Sequence, residues 1–346
     1  MANITQLITR TKAAVHYAVN LPEDADASEH STMYWVSEPG LGKTSGIKQI
    51  ARELDLKLVI VDLAQSEPTD ICGTNWIKDN PDGSRSMTRL KPEWFPEEGT
   101  KGILFFDEVA QGEKASLNVV GQVIHELRAG PHKLPHGWVC VAASNGIKDK
   151  AGVQRLPSQL KDRFNFQYLE VDLESVIKYF RSIGVDERIC AYLRFRPEWV
   201  HRFNADADSC PTPRSWHRVS NILKWDLGWE DMLECIAGEV GPAAAADFVS
   251  GFLKLYEICP DIDELIAKPM AAEVPTDMGV MYAICAALST RMNDDNADNI
   301  IKFLNRLPQG EFAAFVIKDA YNRDKELKSN KAIRAWCLDN GHVLLV

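Results

Sequence analysis

Positive charge is in short supply in this chain: 39 lysines and arginines stand against 49 aspartates and glutamates, a formal net charge of -10, with an isoelectric point near 5.4. That balance excludes a standing non-specific affinity for nucleic acid, which needs a basic face to displace counterions from phosphates. The basic stretch Arg194 to Arg202 is broken by Glu198 and reads as the surface of a helical region. Long apolar runs are missing too. Nothing approaches the roughly 18 apolar residues that span a bilayer, and Gly279 to Leu288 is short enough to predict a buried helix. The N-terminus lacks the apolar core of a secretion signal. The eight cysteines are scattered with no C-x-x-C pair, which excludes a disulfide scaffold and fits a reduced, cytoplasmic setting with buried thiols. His132, His136 and Cys140 have a spacing a metal could use. Cys140 falls in an apolar strand pattern with no fourth ligand nearby, so no metal is read there. Repeats and low-complexity tracts are lacking as well.

What is present is a chain of 346 residues with 45% hydrophobic content, enough for a good core and for two or three domains. Its most informative stretch runs from Met33 to Ser45, an apolar strand leading into Glu38-Pro39-Gly40-Leu41-Gly42-Lys43-Thr44-Ser45 at the start of a helix. A loop with few Cβ atoms can turn its backbone N–H groups onto phosphate oxygens, and the helix N-terminus adds partial positive charge. In this arrangement Lys43 reaches the β/γ-phosphates of a nucleoside triphosphate and the Thr44 hydroxyl binds Mg2+. The pattern G-x-x-x-x-G-K-[ST] fails at one position, where Ser37 stands in place of the first glycine. Ser37 lies where the strand ends, and Gly40 and Gly42 serve the part of the loop nearest phosphate. Alone, the segment would also suit a plain strand-to-helix connector.

A second run, Gly102 to Phe106, ends in Asp107-Glu108. Large apolar residues closing on two carboxylates read as a buried parallel strand opening into a site. Asp107 would hold Mg2+ through water and Glu108 would polarise the attacking water, which with a phosphate cradle is most of what phosphoryl transfer requires. An ordinary strand ending in a surface Asp-Glu pair is the alternative.

Strands are expected at Thr32–Val36, Leu58–Asp62, Ile103–Asp107, Trp138–Ser144 and Phe166–Val171, alternating with helices. The expected class is α/β, a P-loop NTPase parallel five-stranded sheet flanked by helices, over residues 1–172. Asn80-Pro-Asp-Gly83 predicts a hairpin within the stretch from Ala64 to Gly99, and Arg128 to Gly137 predicts a second. Leu160 to Phe164 reads as a short helix. Helices then take over: a lid over residues 173–242, with Pro211 and Pro213 around Thr212 setting the helix that starts near Arg214, and a helical C-terminal extension over residues 243–346.

Taken in order, Glu38 to Thr44, Phe105 to Glu108, Ala143-Ser144-Asn145, Asp162-Arg163-Phe164 and Thr212-Pro213-Arg214 resemble the AAA+ ATPases, specifically their MoxR-like, dynein-related branch, over about Ile4 to Leu223. The resemblance implies that Asn145 is the first sensor, orienting water between Glu108 and the γ-phosphate. It implies that Arg163 is an arginine finger acting on a neighbouring subunit, with Arg155 a competing candidate, and that Arg214 is the second sensor. The residues themselves leave other roles open: Asn145 as a strand end, Arg163 and Arg214 as surface ion-pair partners. In that branch the Ala64–Gly99 insert faces the ring pore or a partner. The implied function is a ring-forming, hexameric ATPase using ATP and Mg2+ to remodel a protein partner, chaperone-like, with a separate von Willebrand factor A-domain protein as adaptor. The alternatives are a nucleotide-switched binding module with incidental turnover, and an ATP-driven motor on DNA, against which the acidic balance argues.

Overall fold

A computed structural model describes residues 2–25, 29–146, 156–254, 259 and 261–340. The chain divides into two compact units, Met1–Ser175 with Phe203–Asp206, and Val176–Arg202 with Ala207–Val346.

In the first unit the strands are β1 (Thr32–Ser37), β2 (Lys57–Asp62), β3 (Asn75–Asp79), β4 (Arg85–Arg89), β5 (Gly102–Asp107), β6 (Arg128–Ala129), β7 (His132–Lys133), β8 (Trp138–Asn145) and β9 (Phe164–Tyr168). The helices are α1 (Ile4–Val19), α2 (Lys43–Glu53), α3 (Pro68–Cys72), α4 (Lys114–Glu126) and α5 (Ser158–Lys161), and α6 (Leu173–Ser182) leads out of it. Five strands form one sheet in the order β2-β5-β8-β1-β9, every pair parallel.

Side chains alternate along a strand, so an apolar run buried on both faces supplies two cores. In β5, Ile103 and Phe105 join one cluster with Leu7 of α1 and Ile47 and Ile50 of α2. Leu104 and Phe106 join the other, with Leu117, Val120 and Val123 of α4. In β8, Val139, Val141 and Ala143 face the first, and Trp138, Cys140 and Ala142 face the second. Within the first core the indole N–H of the fully buried Trp35 donates to Thr11 Oγ1 at 2.8 Å, satisfying a polar atom that burial would otherwise penalise. α1 starts at a reciprocal cap: Asn3 accepts from the Gln6 N–H at 2.9 Å and donates its own N–H to the Gln6 side chain at 3.2 Å.

Both expected hairpins form. β3 and β4 pair antiparallel across Asn80 to Ser84, and β6 pairs with β7 just before β8. Several boundaries differ from expectation, and β9 runs Phe164–Tyr168 in place of Phe166–Val171. The short helix closes at Lys161, so Arg163 sits in the turn and Phe164 already belongs to β9. Pairing with β1 starts at Thr32↔Phe164, and Phe164 stacks on Tyr34 with centroids 4.6 Å apart. That contact is made across strands and draws the strand start forward.

The second unit is helical among its described residues. α7 (Glu187–Phe195), α8 (Pro213–Ile222) and α9 (Trp229–Val240) are followed by helix Met278–Arg291, helix Gly310–Arg323 and others. α8 starts at Pro213, with Thr212 accepting from the Ser215 N–H. Tyr192 of α7 is fully buried among Trp216, Phe248 and Phe252. Helix Met278–Arg291 is buried on most sides, as a helix apolar all round must be. Asp319 takes both Arg194, at 2.6 and 2.9 Å, and Arg181, at 2.6 Å, while Arg181 also pairs with Glu187 at 3.1 Å.

Candidate functional site

Parallel strands deliver their carboxyl ends to one edge of a sheet, and ligands of open α/β sheets bind outside that edge. Here the register sets Ser37 of β1 beside Asn145 of β8 and Asp62 of β2 beside Asp107 of β5. Glu108 follows Asp107 directly. The loop that leaves β1 returns to the same edge as α2, where Gly40 at φ 82° and Gly42 at φ 83° occupy the left-handed region. Gly42 is the N-cap of α2, so the turn onto the helix relies on a conformation that glycine adopts without steric cost.

Six side chains meet at this edge. Lys43 Nζ donates to Asn145 Oδ1 at 2.7 Å and to Ser37 Oγ at 3.2 Å. Asn145 Nδ2 donates to both carboxylate oxygens of Glu108, at 3.1 and 2.9 Å. The Thr44 hydroxyl donates to Asp107 Oδ2 at 2.7 Å, and the backbone N–H of Glu108 donates to Asp107 Oδ1 at 3.0 Å. Ser37, Lys43 and Asn145 are buried.

Glu108 is half-buried and its backbone is strained. Its backbone is left-handed at φ 50°, ψ 40°, which costs a non-glycine residue on the order of 1–3 kcal/mol and recurs at functional positions. Burial pushes its carboxyl above the usual range; the Lys43 charge opposes that shift and the Asp107 charge adds to it. A base with a raised pKa takes a proton more readily near neutral pH.

The donor set suits a hard cation. Thr44 Oγ1 and Asp107 Oδ2 lie 2.7 Å apart, two oxygen donors of the kind Mg2+ takes alongside phosphate oxygens.

The three arginines stand differently. Arg163 donates to the Gly121 carbonyl on α4 and lines a pocket with Asn118, Gln122 and Leu160; it is not part of the hydrogen-bonded group around Lys43. Arg214 is exposed in the first turn of α8, in the second unit. Arg155 lies outside the described residues. His132 Nε2 is 2.7 Å from the Arg89 carbonyl and His136 Nε2 is 2.8 Å from the Leu21 carbonyl, so the two imidazoles serve different backbone groups. Burial pushes the Cys140 thiol up to about 12.

Sequence reasoning missed two participants. Gln111 donates to Glu108 Oε2 at 3.0 Å, and the Ser144 hydroxyl accepts from the Ala110 N–H at 3.3 Å, tying the turn after Glu108 to β8. The only available signal was proximity to Glu108 and Asn145 in the chain. The sequence pattern marks Ser37 only as a departure from glycine and assigns its hydroxyl no role.

Residues 33–170 match the family described as ATPase family associated with various cellular activities (AAA). No curated protein matches the sequence. Among solved structures, the chain is similar to Thermotoga maritima RuvB, titled a Holliday junction branch migration motor, at 16% identity over 87% of this chain and 87% of that one, with a TM-score of 0.38. It is also similar to NtrX from Brucella abortus, at 12% identity over 98% of this chain and 68% of that one, with a TM-score of 0.39. Likenesses this distant carry no argument about what this chain acts on.

Proposed function

We propose, from the premise that residues 33–170 form an AAA ATPase domain, that this chain hydrolyses ATP at the carboxyl edge of its sheet and uses the energy to remodel a protein partner. The observation that carries the reading is the hydrogen-bonded set of Lys43, Asn145 and Glu108 beside Thr44 and Asp107. Glu38 to Ser45 wrap the phosphates, and Lys43 neutralises the β/γ-phosphate oxygens. Thr44 and Asp107 would hold Mg2+, which would supply Lewis-acid withdrawal of charge from the phosphates. Glu108 accepts the proton of the attacking water, and Asn145 orients that water.

The sequence resemblance supports the finer parts of the reading. The subunits assemble into a ring, hexameric as in the resembled MoxR-like branch. Arg163, or Arg155, reaches the neighbouring nucleotide, and Arg214 reads the γ-phosphate. A separate von Willebrand factor A-domain protein selects the target, in the cytoplasm. A nucleotide-switched binding module is the second reading. It is favoured by the engagement of both Glu108 oxygens by Asn145 and Gln111, which nucleotide would have to loosen.

ATP hydrolysis measured against protein concentration, on samples of known mass, tests these together for wild type, Lys43→Ala and Arg163→Ala. Turnover that climbs with assembly and disappears in both variants is the expected result. Turnover in Lys43→Ala equal to wild type would sink the ATPase, and nucleotide-dependent assembly without turnover would favour the switch.

A further inference from the structure

We propose that Ser37 is a positioning residue that holds the Lys43 ammonium at the mouth of the phosphate loop through a neutral hydrogen bond; this rests on the ATPase reading above. The position is one where the phosphate-loop pattern has glycine, and the backbone gives no reason for one. Ser37 is the last residue of β1, paired in register with Asn145, and its carbonyl accepts from the Gly146 N–H at 3.1 Å. It is not among the residues with positive φ. Extended backbone of this kind suits any residue, so the choice of serine rests on its side chain.

That side chain is 5% exposed and fully directed. Its one O–H donates to the Glu38 carbonyl at 2.8 Å. With the proton spent there, what the oxygen turns to Lys43 is lone-pair density, and Lys43 Nζ donates to it at 3.2 Å. The second acceptor, Asn145 Oδ1 at 2.7 Å, comes from the register partner on the neighbouring strand. Lys43 is thereby aimed by two oxygens on adjacent strand ends.

Both acceptors are uncharged. A carboxylate at position 37 would also hold Lys43, but as an ion pair that competes with phosphate for the same charge. A hydroxyl and an amide restrict the four-carbon stem, which otherwise loses considerable rotamer freedom on binding, and add no further negative charge at the loop. The gain is preorganisation, and it appears in affinity for nucleotides long enough to reach Lys43.

Binding of ADP and of AMP to the full chain without Mg2+, for wild type, Ser37→Ala, Ser37→Gly and Ser37→Thr, reads this out. Ser37→Ala and Ser37→Gly should each weaken ADP by roughly fivefold while leaving AMP unmoved, and Ser37→Thr, which keeps the hydroxyl, should restore ADP binding. In turnover the same loss should fall on KM for ATP. ADP binding by Ser37→Gly as tight as wild type would overturn the proposal, as would equal weakening of ADP and AMP. A wild-type chain that binds no ADP would overturn the ATPase reading itself, a result distinguishable from either.

Discussion

Two polar clusters lie in the two units, one in each, and they are built on opposite principles. At the strand ends of the first, neutral groups orient the charges: Ser37 and Asn145 accept from Lys43, Asn145 and Gln111 donate to Glu108, and Thr44 and a backbone N–H donate to Asp107. In the second, charge meets opposite charge. Asp319 is 4% exposed and takes two arginines, one of which also binds Glu187. A cluster whose charges cancel has nothing left to offer a ligand and ties helices together. A cluster whose charges are oriented without cancelling keeps them for something that arrives later. The difference separates an ionic lock from a site more clearly than burial does, since each cluster mixes buried and half-buried members.

The comparison can be broken in order of expected effect. Glu108→Gln preserves shape and removes the base, so steady-state ATP hydrolysis should fall about 10²–10⁴-fold with nucleotide binding retained. Because burial raises the Glu108 pKa, the acid limb of kcat/KM should lie above the ordinary glutamate value of about 4.3 and vanish in the variant. The same shift has a stability consequence with a definite sign. A carboxyl whose folded pKa exceeds its unfolded one disfavours folding once it ionises, as pH rises past the unfolded value. Glu108→Gln should therefore raise the denaturation midpoint at neutral pH, and the gain should fade below about pH 4, as urea melts at the two pH values would show.

Asp319→Ala strikes the lock. It removes the carboxylate that Arg194, itself 7% exposed at the side chain, shares with Arg181, and losing one member of a buried pair costs about 3–5 kcal/mol. Urea denaturation should show that loss. A variant as stable as wild type would mean that these charges are not balanced as described. Gly42→Ala should be the mildest. A Cβ at Gly42 meets nothing within 4 Å, so its cost is backbone strain alone, about 1–2 kcal/mol for a left-handed L-residue. A melt of the ligand-free chain would detect it.

Much of the first unit was legible in the sequence because its signals are local. Gly102 to Asp107 is apolar to its last residue, and Asn80-Pro-Asp-Gly83 can do little but turn. The five-stranded parallel sheet with helices on both faces is found as expected. Strand neighbours are another matter. That Ser37 lies beside Asn145 depends on 107 intervening residues folding between them, and no local pattern carries that information. The start of β9 at Phe164 was misplaced for the same reason, its cause being Tyr34 on another strand. The Arg194–Asp319 pair, 125 residues apart, left no trace in periodicity at all. The roles of Arg163 and Arg214 come from resemblance alone; Arg163 donates to the Gly121 carbonyl, and Arg214 belongs to the second unit.

The strand order has a consequence for how the protein comes into being. β1 is among the first strands to leave a ribosome, yet its two neighbours in the sheet, β8 and β9, are the last of the five. Until they emerge, Met33, Tyr34 and Trp35 have no sheet to join, and the phosphate loop is tethered to an unpaired apolar ribbon. Contacts of such long sequence separation form slowly and leave apolar segments open to aggregation while they wait. The nascent chain should thus acquire nucleotide affinity in a single late step, as the turn through Arg163 and then β9 are completed, and fragments ending before Trp138 should bind none.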